Sequence, residues 1–111
     1  MEVITRTVGD VTIVAIAGSL DSNTAPQAKS TLDAVGASST RKVAVDFAAL
    51  DYVSSAGLRV LLGLAKQLSA KGGALCSFGL NQSVRDVFEI SGFATILKVF
   101  PTETDALSSF K

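Results

Sequence analysis

The 111-residue chain has no histidine and no tryptophan, a single cysteine, one methionine and two prolines. Without histidine, Ser-His-Asp and Cys-His catalysis and histidine metal ligation are excluded. A lone Cys76 allows neither an internal disulfide nor a zinc cluster, and a reducing, cytoplasmic setting is the expectation. Ten basic residues offset ten acidic ones, with no basic run, which argues against a nucleic-acid or membrane-surface partner. The N-terminus lacks a basic region followed by an apolar stretch, so no signal peptide is expected. No apolar run reaches the roughly 20 residues needed to cross a bilayer. No residue pattern calls for a cofactor or a metal.

What is present is apolar: 48% of residues are hydrophobic and only 18% charged, which fits one folded domain over residues 1–111 rather than disorder. Val3–Val8 and Val11–Ala17 are β-rich and separated by Gly9-Asp10, the pattern of an antiparallel hairpin whose second strand is the more buried. A helix is expected from Thr24, with Pro26 in its first turn and Ala28, Leu32 and Val35 on one face. Lys42–Phe47 reads as a strand and Ala48–Val53 as a loop. The strongest helix signal begins at Ser54-Ser55, where Leu58, Leu61, Leu62, Ala65 and Leu68 form an apolar stripe that ends at Gly72-Gly73. Ala74–Gly79 is a strand. A helix capped by Asn81 or Ser83 then carries Val84, Val87, Phe88 and Ile90 to Gly92. Ala94–Val99 is a last strand, and Thr102 caps a short terminal helix. The order β-β-α-β-α-β-α-β-α predicts a mixed, mainly parallel α/β sheet with an N-terminal hairpin and about four helices.

Candidate chemistry is sparse. A phosphate-accepting receiver domain needs an acidic pair after its first strand. Asp21 has no acidic neighbour, and Asp46 lies inside a strand. The glycines make neither a dinucleotide fingerprint nor a phosphate loop. Cys76 reads as a small core residue. Ser54 and Ser55 stand at the start of the strongest helix, with Gly57 in its first turn, although an exposed helix glycine costs about 1 kcal/mol relative to alanine. A serine here is a natural cap. It is also a place where an attached phosphate would meet free N–H groups and the positive end of the helix dipole.

At these residues the chain resembles the STAS domain, and within it the bacterial anti-sigma factor antagonists. Leu50-Asp51-Tyr52-Val53-Ser54-Ser55-Ala56-Gly57-Leu58 is similar to their signature, in which Asp-Ser is followed by a variable small residue, Gly and Leu. Gly18-Ser19-Leu20-Asp21 resembles the family's segment before the first helix, and Ser83–Phe93 its Ser-Gly turn after an apolar helix. The resemblance implies a non-enzymatic partner switch. The unphosphorylated domain binds an anti-sigma factor that is also a serine kinase; phosphorylation breaks that binding, and a serine phosphatase restores it. Counted back from Gly57, the phosphoacceptor position is Ser55. The family's aspartate is here Ser54, a departure that removes a charge and supplies a second hydroxyl.

The partner surface implied comprises Asp21, Ser22 and Asn23 together with Ser54, Ser55, Ala56, Gly57 and Leu58, presented by a monomer. Two alternatives keep the fold. One is a subunit of a lipid-transport or other signalling assembly that does not act on sigma factors; the other is a small-ligand sensor binding at the strand ends.

Overall fold

The computed structural model describes residues 1–110. Chain order is β1 (Glu2–Val8), β2 (Val11–Leu20), α1 (Ala25–Ala37), β3 (Lys42–Asp46), β4 (Leu50–Val53), α2 (Ser55–Ala70), β5 (Ala74–Phe78), α3 (Gln82–Ile90), β6 (Lys98–Phe100) and α4 (Glu103–Ser108). The sheet runs β1-β2-β3-β5-β6, with β1 antiparallel to β2 and the other pairs parallel. Gly9, at φ 62°, turns the opening hairpin and sets Val8 opposite Val11. β1 is exposed along nearly its whole length, whereas β2 is largely buried.

Alternation along the strands divides the interior between the two faces of the sheet. Val14 and Ile16 of β2 and Val43 and Val45 of β3 pack with Leu32 of α1, Leu61, Leu64 and Leu68 of α2 and Phe88 of α3. Val11, Ile13, Ala44, Cys76 and Phe78 form a smaller cluster closed by Ala106 of α4. Phe88 meets Phe47 and Phe93 edge-on, with ring centres 5.8 and 5.2 Å away, a favoured aromatic geometry.

Three expectations are corrected. Leu50–Val53 is a strand rather than part of a loop: it pairs in parallel with the end of β2, across a register shift between Gly18 and Ser19. The last strand is Lys98–Phe100 and not Ala94–Val99. Gly92, at φ 76°, stops α3, and Phe93–Thr95 forms a 3-10 turn that carries Phe93 and, four residues later, Leu97 into the core. On α2 the fully buried line is Gly57, Leu61, Leu64 and Leu68, while Leu58, Leu62 and Ala65 are half-buried at its flank.

Candidate functional site

β4 decides where the two sequence-predicted segments lie. Leu20 at the end of β2 is paired with Val53 at the end of β4, so the loop that starts at Asp21 and the helix introduced by Ser54 leave the sheet side by side. The Ser54 amide donates to the Leu20 carbonyl at 2.9 Å. Gly57 then lies against the same residue. A Cβ there would stand 2.7 Å from Leu20 Cγ, 2.8 Å from Leu20 O and 3.0 Å from Val53 Cγ2. The glycine that looks costly in a helix is thus required by close approach of the chain's own β2, and it is buried.

The loop is braced from within. Asp21 Oδ1 accepts from the amides of Asn23 at 2.9 Å and Thr24 at 3.2 Å, an Asx turn. Thr24 Oγ1 accepts from the Asp21 amide at 2.9 Å and donates to the Ser19 carbonyl at 2.8 Å. One carboxylate oxygen of Asp21 therefore shapes the loop, while Ser22 and Asn23 face outward, exposed. Ser22 and Ala56 line one groove, which shows the two segments in contact with a common space.

The two serines differ in kind. Ser54 is the N-cap of α2: half-buried, with extended backbone, it accepts from the Gly57 amide at a long 3.4 Å. Ser55 is the first helical residue, is exposed, and its hydroxyl makes no hydrogen bond among the described residues. The first backbone bond of the helix is given by the Leu58 amide to the Ser54 carbonyl at 2.9 Å, leaving the Ser55 and Ala56 amides ahead of the helical ladder.

The STAS domain family model matches residues 2–106. The chain belongs to the STAS domain family. It is 42% identical over 99 residues to BtrV of Bordetella bronchiseptica, whose name assigns it to the anti-sigma factor antagonists, covering 89% of this chain and 85% of the relative. In fold it matches a crystal structure of an anti-sigma factor antagonist from Mycobacterium paratuberculosis with a TM-score of 0.90 at 24% identity, over 97% of this chain and 92% of that one. It also matches Bacillus SpoIIAA in its phosphorylated form, with a TM-score of 0.75 at 20% identity over 99% and 100% of the two chains.

Elsewhere in this STAS domain, Cys76 is enclosed in the smaller core cluster. Burial pushes the Cys76 thiol up to about 11 from its ordinary 9.0, so the sulfur stays protonated and inert near neutrality. No helix among the described residues is long and apolar enough to cross a membrane. Two exposed features lie beside the site, and of their residues only Arg59 stands out in the sequence, as a polar residue near a predicted helix start. Tyr52, on β4, is 52% exposed. Arg59 and Lys29 edge the groove that Ser22 and Ala56 enter. Tyr52 becomes legible only in the structure, because it and its neighbour Asp51 are both exposed on the four-residue β4.

Proposed function

We propose that this STAS domain is an anti-sigma factor antagonist, controlled by phosphorylation of Ser55 and acting as a monomer in the cytoplasm. It does no chemistry itself. When unphosphorylated it binds an anti-sigma factor that is also a serine kinase, and a serine phosphatase resets it. The observation that carries the reading is the contrast between the two serines. A kinase must reach a free hydroxyl, and Ser55 offers one in the open, whereas the Ser54 oxygen faces the Gly57 amide. The names of its relatives support the same role.

The physical basis of the switch is a charge placed where a neutral hydroxyl stood. A phosphate adds about −1.5 to −2 charges near neutrality. At the start of α2 it gains from the helix dipole, on the order of 0.3–1 kcal/mol, so the free domain keeps its stability. A partner pressed onto this end must instead desolvate or oppose that charge. A charge left unpaired in an interface costs about 2–5 kcal/mol, roughly thirty- to several-thousand-fold in affinity.

The test is incubation with a kinase-type anti-sigma factor and ATP, with mass-spectrometric site mapping of wild type, Ser54→Ala and Ser55→Ala. Phosphate on Ser55 in wild type and in Ser54→Ala, and none in Ser55→Ala, is the expected outcome. Normal modification of Ser55→Ala would move the acceptor to Ser54, and modification of neither serine would overturn the switch.

A further inference from the structure

Three glycines lie inside helices: Gly36 in α1, and Gly57 and Gly63 in α2. At Gly36 an added Cβ would run into the Gln67 side chain, at 1.7 Å from Oε1, and at Gly57 into Leu20. Gly63 is different. It is the ninth of sixteen residues in α2, and a Cβ there meets nothing within 4 Å. A glycine in a helix interior is destabilising relative to alanine. The chain keeps that cost at a place where its own packing asks for nothing.

Gly63 opens onto the groove between α1 and α2, a space of about 450 Å³ whose apolar lining includes Pro26, Ala56 and Val60. A side chain at 63 would project into it. The groove runs from Ala56 to Gln67, eleven residues along α2, or about 16 Å at the helical rise of ~1.5 Å per residue. Its charges are unevenly satisfied. Asp33 is held by Lys29 at 2.5 Å and by Gln67 at 3.2 Å, and these contacts keep its carboxyl below the usual range. Arg59 makes no ion pair among the described residues, so the rim carries one uncompensated positive charge.

We propose that the α1–α2 groove is a docking site for an amphipathic helix of a protein partner, which seats an apolar side chain over Gly63 and presents a carboxylate to Arg59. The groove's length suits about three helical turns, and helix-in-groove recognition uses anchors at such spacing. Because the groove includes Ser22 and Ala56, a partner covering Ser55 and a partner lying in the groove can be the same molecule. The identity of that occupant, a kinase-type anti-sigma factor, rests on the function proposed above.

Gly63→Leu fills the groove and replaces a poor helix former with a good one, so it melts at or above the wild-type temperature. Calorimetric titration with a kinase-type anti-sigma factor is run on wild type, Gly63→Leu, Arg59→Gln and Ser55→Asp, with thermal melts of each. The expected result is at least about tenfold weaker binding for Gly63→Leu and a measurable loss for Arg59→Gln. If Gly63→Leu folds and binds as wild type while Ser55→Asp loses affinity, the groove proposal is overturned and the switch stands. If wild type itself does not bind, both fall. Should Gly63→Leu melt early, the exposed Arg59→Gln decides, and unchanged affinity there overturns the proposal. Sedimentation of the free proteins supplies a last check: wild-type self-association at micromolar concentration that Gly63→Leu abolishes would name a second copy as the occupant and likewise overturn it.

Discussion

At Gly57 two preferences oppose each other. Intrinsic helix propensity favours alanine by about 1 kcal/mol, yet a methyl group there would stand 2.7 Å from Leu20 Cγ and 2.8 Å from a backbone oxygen that pairing with β4 holds in place. Overpacking of a tight contact costs about 1–3 kcal/mol, so the collision wins. Gly57→Ala is accordingly expected to lower stability, read as a reduced urea midpoint at unchanged slope; a rise in the midpoint would show that β2 and α2 are free to part. The sequence marks this position as odd for a helix but gives no sign of what approaches it. The cause lies 37 positions earlier, at Leu20, and only the pairing of β2 with β4 makes the two neighbours. The same pairing explains why the chain's own pattern locates the serines, while only the family resemblance ranks Ser55 above Ser54 there. Both are hydroxyls before an apolar helix, and their difference, one half-buried as a cap and the other exposed, comes from how the chain leaves β4.

Among the elements, α2 shows how far periodicity carries. Steps of three and four correctly place a helix there, but leucines occupy so much of its circumference that the pattern does not fix which line faces the sheet. The structure buries Leu61, Leu64 and Leu68 to 1% exposure or less and leaves Leu58 and Leu62 at the flank. Leu64→Ala should cost about 2–5 kcal/mol in denaturant unfolding, as for a fully enclosed leucine, and Leu62→Ala clearly less. Equal losses would mean that the helix is rotated from the orientation described. β4 was illegible for another reason. It has four residues, Leu50 and Val53 buried and Asp51 and Tyr52 exposed, which is not the alternation of a half-buried strand. Its strand character comes from the edge that β2 offers beyond the register shift at Gly18. The end of the chain misled similarly: Ala94–Val99 has β-branched residues, but Gly92 in the left-handed region redirects the backbone into a 3-10 turn before β6 can pair with β5.

Taken whole, the molecule closes both faces of one sheet, the larger with three helices and the smaller with α4. Most of the alternation of strands and helices after the hairpin was readable, because the units other than the short β4 and β6 are long enough to repeat their own period. Among the described residues the buried apolar side chains fall into two clusters, each closed by helices of this chain. Sedimentation at micromolar concentration should therefore give one species near the mass of a single chain, and an obligate dimer would contradict the view that the domain is complete alone. Ser55 stands on a part of this framework that is unusually well braced: β2 and β4 end side by side, the Ser54 amide is tied to Leu20, and Gly57 rests on the same residue. A group added to the Ser55 hydroxyl, which makes no hydrogen bond among the described residues, would leave each of those contacts in place. Marked and unmarked molecules would then share one shape and, since turnover follows stability, one lifetime. Nothing inside the domain would drive either form back to the other. A molecule switched in this way would record an event and keep the record passively, to be read when another protein arrives.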